Sequence, residues 1–263
     1  MISRDEKLAD YFGVTTAMVP LLDELLRDLY ALGSFPHDIV DQMRCVDIDY
    51  SSRILDVGCG KGAVSIAVAQ RFQCRVLGLD FFESFIEYAR MSALKASVRH
   101  LCTFIQADVH TDLSDQEPFD MAVFASVGPI FGTHVDTLRR LKTAVRPGGY
   151  VLLDDAYRTD DAPIGVPGYE SCAGYDETIL QLTRDGNRIV SERVYPPAAI
   201  QQMNQRYCQR ICERAEALKK AYPNLSDEID DFVAREAEEN RVLENHMACA
   251  TWIVQLGDGE QSG

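Results

Sequence analysis

The stretch Arg53–Phe72, RILDVGCGKGAVSIAVAQRF, decides the fold. Ile54, Leu55 and Val57 form a short apolar run with a β-branched bias, the pattern of a strand buried on both faces. Gly58, Gly60 and Gly62 follow at alternate positions, and Val64, Ala67, Val68 and Phe72 then recur at helical spacing. Strand, glycine turn and helix are the layout of a nucleotide-binding first crossover. Glycine turns tightly and leaves room for a ligand where a Cβ would stand, and the helix N-terminus beyond offers free N–H groups.

Spacing alone leaves two readings open. Gly58, Gly60 and Ala63 satisfy the dinucleotide pattern G-x-G-x-x-A, which fits an NAD-dependent oxidoreductase. Asp56, two residues ahead of the first glycine, favours the other reading. A carboxylate at that point suits a cationic amine or sulfonium and repels a pyrophosphate. The stretch resembles motif I of the class I S-adenosylmethionine-dependent methyltransferases, hydrophobic-hydrophobic-D-h-G-x-G-x-G. The resemblance covers residues 53–155, and it implies S-adenosyl-L-methionine as cofactor and a small molecule as methyl acceptor.

Further along, RVLGL (Arg75 to Leu79) reads as a second buried strand ending at Asp80, 20 residues beyond Gly60. A ribose-binding carboxylate is expected there, and an ionised carboxylate accepts from both hydroxyls. Phe81 is placed to lie against the adenine. Leu101 to Gln106 is a third strand, with Asp108 and Val109 just past its end, where the resemblance implies contacts to the adenine amino group. FDMAVFA (Phe119 to Ala125) is the fourth strand, and Ala125 opens onto a turn-rich loop at the ligand-binding edge. A helix stopped by Pro147-Gly148-Gly149 precedes the fifth strand, Tyr150 to Asp154. The expected fold is therefore α/β, a Rossmann-like, mostly parallel seven-stranded sheet with helices on both faces.

Around that core the sequence predicts an N-terminal helical extension over residues 1–50, beside the first strand, and a core domain over 51–197. A helical cap follows over 198–246, then a last strand over 247–256 and a disordered tail over 257–263. Tyr11 and Phe12 read as core anchors or as part of a segment folded over the cleft. Ala156 to Tyr175 reads as a loop rich in glycine and proline, Glu177 to Thr183 as a helix and Arg188 to Val194 as a strand. The cap comprises one helix from Ala198 to Tyr222 and a second from Ser226, its N-cap, to His246. A helix pair before the last strand resembles a subgroup of small-molecule methyltransferases with a cap over the substrate pocket.

Methyl transfer from a sulfonium is an in-line displacement in which orientation and water exclusion supply much of the rate, so no strong catalytic motif is required. Candidates for a base or substrate anchor are His134, Asp155, Tyr157, Tyr207, Glu236 and His246, with Asp155 and Tyr157 after the fifth strand and Glu236 on the second cap helix. With Asn240, Glu236 shares a stripe with Ile229, Phe232, Val233 and Leu243, where an unpaired polar group is costly. A net charge of −15 speaks against nucleic acid as a partner. The charged N-terminus lacks the apolar segment of a signal peptide, and no apolar run suits a bilayer, so a cytoplasmic monomer or homodimer is expected. The eight cysteines read as reduced, buried thiols. Cys208 and Cys212, with Cys45 and Cys172, also suggest a thiol-rich pocket of the arsenite methyltransferase kind, but no metal site is expected. A non-catalytic S-adenosylmethionine-binding protein is a further alternative.

Overall fold

The computed structural model describes residues 3–110, 113, 117–167, 169 and 172–257. Its centre is a parallel sheet. Strand β1 (Arg53–Val57) lies between β2 (Arg75–Asp80) and β4 (Phe119–Ala125), with β3 (Cys102–Gln106) outside β2 and β5 (Val145–Arg158) outside β4. Strand β7 (Met247–Gln255) joins β5 antiparallel and carries β6 (Arg188–Val194) on its far side, giving the order β3-β2-β1-β4-β5-β7-β6. The chain leaves β1 for β2 on one side and later enters β4 on the other. The edge between β1 and β4 is thus the topological switch point, where open α/β sheets form their ligand crevice.

Both faces of the sheet are covered, which is why its strands read as continuous apolar runs. Ile54, Val76, Phe104, Met121 and Ile253 face α3 (Pro36–Gln42), α4 (Ala63–Phe72) and α5 (Glu83–Lys95). Leu55, Val57, Ala122, Phe124, Leu153 and Trp252 face α6 (His134–Lys142) and α7 (Tyr175–Leu182). Trp252 is fully buried and its indole N–H donates to Glu192 at 2.7 Å, the partner that a buried indole requires.

Several boundaries differ from the sequence reading. Strand β5 continues past Asp154 to Arg158 because β7 pairs with it as far as Arg158 opposite Met247. The loop therefore starts at Thr159, and α7 begins at Tyr175, two residues early. The cap helices are α8 (Pro197–Ala221) and α9 (Ser226–Asn245). Ser226 is not the N-cap: it is the first helical residue, Leu225 holds the cap position, and no side-chain bond caps the end. Apart from Gly257, the tail expected over 257–263 lies outside the described residues.

The largest departure concerns the N-terminal region, which divides. Helix α3 joins the sheet core, but α1 (Arg4–Tyr11) and α2 (Val19–Leu25) do not pack on β1. Leu8, Met18, Leu22, Leu25 and Leu29 share one cluster with Ile211 and Leu218 of α8, Ile229 and Phe232 of α9, and Phe82 and Phe85 at the start of α5. An amphipathic stripe fixes which helix face is buried and leaves open which element covers it, so this pairing had no signature. Phe232 is 1% exposed at the centre of that cluster. Phe232→Ala should cost roughly 3–5 kcal/mol. Amide exchange should quicken in residues 4–29 and in both cap helices together while β1 and β2 stay protected; a change confined to α9 would contradict the shared core.

Candidate active site

The glycine turn after β1 is built by backbone conformation. Gly58, Gly60 and Gly62 have φ of 72°, 51° and 78°, left-handed values that favour glycine. The same turn is crowded from outside. A Cβ on Gly58 would stand 2.6 Å from a Val127 methyl, and one on Gly60 2.8 Å from Leu32. Val127 belongs to the loop after β4, so the two edges of the switch point meet here.

Asp80, the last residue of β2, joins the parts of this turn. One carboxylate oxygen accepts the Gly60 N–H at 2.8 Å and the other accepts the Phe82 N–H at 2.8 Å. Burial pushes the Asp80 carboxyl up to about 6 against those stabilising bonds. Asp56, 2% exposed, sits beneath the turn and accepts from the Ser65 hydroxyl of α4 at 2.5 Å. Its carboxyl is also raised to about 6, first by burial and then by the charge of Asp80, with Ser65 opposing. The Gly58 and Cys59 N–H groups both donate to the Leu79 carbonyl, at 2.8 and 2.9 Å. The turn amides that would cradle a pyrophosphate are thus spent on Leu79 and Asp80, beside two buried carboxylates. That arrangement disfavours the dinucleotide reading.

Phe81 and Asp108 lie under helix α1. Lys7 Nζ is 2.6 Å from an Asp108 carboxylate oxygen and 6.0 Å from the Phe81 ring centre, and the Arg4 guanidinium is 5.9 Å from the same ring. Lys7 is the main reason the Asp108 carboxyl is held below its ordinary value. Val109 is buried and its carbonyl accepts from Arg140 at 2.9 Å. Ala125 is paired with Asp154 at the sheet edge, where Ser126 donates to the Asp154 carboxylate at 3.3 Å. Asp154 is buried and raised to about 7, by burial first and then by Asp155.

On the acceptor side the candidates separate into two groups. Asp155 accepts the Ala156 N–H at 2.8 Å and lies 3.1 Å from His134 Nε2. Tyr157 is edge-on to Tyr175 at 5.1 Å and 6.2 Å from Trp252, so it packs toward α7 and is not brought to Glu236. Glu236 instead lies within electrostatic reach of Tyr11. The Tyr11 hydroxyl donates to the Val127 carbonyl at 2.8 Å, and the phenol is raised by burial and then by the charges of Asp80, Glu239 and Glu236. Glu236 is raised to about 7, by burial and then by Glu239, with Arg235 opposing. Tyr11, whose residue as a whole is exposed, thus lies within electrostatic reach of Asp80, Glu236 and Glu239. Phe12 is edge-on to Phe82 at 5.3 Å, which is the core-anchor reading for that ring alone.

Sequence reasoning missed three contributors. Lys61, inside the glycine turn, is 3% exposed and donates to the Leu26 and Arg27 carbonyls at 2.5 and 2.9 Å, fastening the segment after α2 to the turn. Burial brings its ammonium down to about 8. Ser65 carried no signal, being one polar residue at the start of a helix. Glu239 carried one, since it stands three residues after Glu236 on one helix face; it accepts from the Tyr169 hydroxyl at 2.7 Å. As for the cysteines, Cys59, Cys74 and Cys102 are buried thiols, Cys45 is exposed, and Cys172, Cys208, Cys212 and Cys249 are half-buried. Among the described residues no three His, Cys, Asp or Glu side chains are placed to hold a metal ion, and no helix is long and apolar enough to cross a membrane.

The family described as methyltransferase domain matches residues 48–228, and the chain belongs to it. It is 29% identical over 113 residues to the ubiquinone biosynthesis O-methyltransferase of Aeromonas salmonicida (strain A449), a match spanning 43% of this chain and 47% of that protein. The chain spans about half the length of the curated ubiquinone-biosynthesis relatives it first matches. Among solved structures, the SAM-dependent methyltransferase of Geobacter sulfurreducens in complex with S-adenosyl-L-homocysteine superposes with a TM-score of 0.77 at 17% identity, covering 90% of this chain and 98% of that one. The [4+2]-cyclase SpnF superposes at 0.71 with 14% identity, covering 98% and 97%. At such identities the likeness shows the fold.

The raised carboxyls have a measurable consequence. Asp56, Asp80, Asp154 and Glu236 have folded values of about 6, 6, 7 and 7 against ordinary values of 3.8 to 4.5. Between those limits the native state binds more protons than the unfolded chain, so stability falls as pH rises from about 4 through about 7. Exposed carboxylates held low, such as Asp28 and Asp160, act below that window. The melting temperature of the ligand-free protein should be higher at pH 5 than at pH 8 by at least about 2–4 °C, the shift that ~1 kcal/mol gives a chain of this size. A higher melting temperature at pH 8 would contradict these assignments.

Proposed function

We propose that the protein transfers a methyl group from S-adenosyl-L-methionine to a small-molecule acceptor. The observation that carries this reading is the Asp80 carboxylate, held at the end of β2 by the Gly60 and Phe82 N–H groups beside the glycine turn. Two adjacent hydroxyls of a ribose are the complement of that arrangement. The buried Asp56 gives the turn a negative potential suited to an ammonium or a sulfonium. Phe81 and Asp108 would take the adenine, with Val109 beside them, and Gly58, Gly60 and Ala125 would line the floor. S-adenosyl-L-methionine would supply an electrophilic methyl group on a cationic sulfur.

What this chain's residues contribute is placement and exclusion of water. The acceptor would enter between the sheet edge at Asp155 and the cap, under Tyr11, which spans from the turn to the cap acids. Glu236 is the residue to receive a proton: its carboxyl is raised to about 7, which suits a base near neutral pH. Asp155, oriented by His134, would bound the acceptor on the strand side, and Tyr157 would support that wall from behind. The family match and the ubiquinone-biosynthesis O-methyltransferase relatives support transfer to a small molecule, and a net charge of −15 disfavours nucleic acid as acceptor.

Calorimetry provides the test. The protein should bind S-adenosyl-L-homocysteine and not NAD(H). Asp80→Ala should weaken that binding by about 1.5–3 kcal/mol, the range for a hydrogen bond to a charged group. NAD(H) binding without any affinity for S-adenosyl-L-homocysteine would overturn the reading, and an unchanged affinity in Asp80→Ala would move the ribose elsewhere.

A further inference from the structure

Helix α1 crosses the ligand edge of the sheet, and one stripe of it reaches three of the loops there. Arg4, Lys7 and Tyr11 are spaced three and four residues apart, so they share a helix face. Lys7 Nζ is 2.6 Å from an Asp108 carboxylate oxygen, past the end of β3. Arg4 donates to the Phe81 carbonyl, just past β2, at 3.5 Å. Tyr11 donates to the Val127 carbonyl, past β4, at 2.8 Å, and Val127 itself packs against Gly58 at the end of β1. The stripe thus touches the ends of β3, β2 and β4, and β1 lies between the last two. From residue 4 to residue 11 a helix rises about 10 Å. Three strand spacings, from β3 to β4, come to about 14 Å. A helix of this length with long side chains at its ends therefore bridges the crevice.

This strap is lightly held. Of its eight residues only Leu8 and Ala9 are buried, and a helix so short is unstable in water without its contacts. Gly13, two residues past its end, has φ of 58°, a left-handed hinge ahead of α2. The polar contacts of the stripe are therefore a large share of what keeps α1 down. One of them claims a group with a second use. Asp108 accepts the His110 N–H on one oxygen at 3.1 Å and meets Lys7 on the other. Under the reading of the crevice as a methyl-donor site, on which this inference rests, the adenine would take the same carboxylate. We propose that α1 is a strap closing the empty cofactor crevice, and that Lys7 competes with the adenine for Asp108. Cofactor entry then requires the ion pair to break and α1 to swing about Gly13. The Lys7 and Asp108 side chains are 49% and 22% exposed, so salt screens their attraction and each binding event can open it. Ionic strength thereby sets how often the crevice is open.

Surface plasmon resonance on the full chain tests this, with S-adenosyl-L-homocysteine as the probe. The probe carries one ammonium and one carboxylate, so it has no net charge through which salt would alter its encounter with the protein. Raising potassium chloride from about 20 mM to about 500 mM shortens the screening length from roughly 20 Å to roughly 4 Å. The association rate should rise about two- to fivefold, the range for an ion pair of this exposure. The dissociation rate should stay the same, because Lys7 does not hold Asp108 in the complex. Lys7→Met should associate at the fast rate already at low salt and lose the salt dependence, and Lys7→Arg should keep it. In the ligand-free Lys7→Met protein, amides of residues 5–12 should exchange faster while β1 and β2 stay as protected as in the parent. Association that does not quicken with salt in the parent would overturn the proposal. So would salt dependence that survives in Lys7→Met, association and dissociation rising together, or unchanged exchange in α1. A parent that binds no S-adenosyl-L-homocysteine at either salt concentration would instead overturn the donor-site reading, and this inference with it.

Discussion

Two carboxylates buried without a cation constrain everything around the glycine turn. The charge of Asp80 raises Asp56 further, and hydrogen bonds from Ser65, Gly60 and Phe82 only partly offset the desolvation of the two carboxyls. Such an arrangement is costly in an isolated fold, and under the proposed function a cationic or hydroxyl-bearing ligand would supply further partners. The turn cannot relax away from the strain, because Asp80 supplies the bond that holds Gly60. Stability and the proposed ligand recognition therefore depend on the same atoms.

From that centre the structure extends outward through a second shared element. Lys61 ties the glycine turn to the carbonyls after α2, and α2 is packed into the cluster that also holds α8 and α9. The cap and the N-terminal helices are thus one apolar body fastened to the turn at Lys61 and at Tyr11. A change at the turn reaches the cap through side chains in contact, and the cap acids Glu236 and Glu239 are positioned by the packing of Ile229 and Phe232 on the same helix.

Much of this was legible in the sequence. The strands were, because burial on both faces leaves uninterrupted apolar runs, and so was the crossover, because a glycine turn between strand and helix has few other uses. Asp80 could be placed from its distance past Gly60, and Glu236 from its position on an apolar stripe. What stayed hidden depends on contacts between distant segments. Lys61 reads as a solvated lysine until the carbonyls of Leu26 and Arg27 are seen over it. The helices before residue 30 carry an apolar face with nothing to say that α8 and α9 cover it. Tyr157 follows the fifth strand beside Asp155, and only the fold shows that its ring packs on Tyr175 and Trp252. Strand β5 itself runs longer than its composition suggests, because β7 extends the pairing.

Under the proposed function, the raised carboxyls of Asp56, Asp80 and Glu236 would meet a cationic donor. Calorimetric titration with S-adenosyl-L-methionine, repeated at pH 6 and pH 8 in buffers of different ionisation enthalpy, tests it most directly. A bound sulfonium and ammonium should lower the carboxyls that stand at about 6 and 7, so binding at pH 6 should release protons and binding at pH 8 should release almost none. Proton uptake at pH 6, or no proton exchange at either pH, would contradict the account.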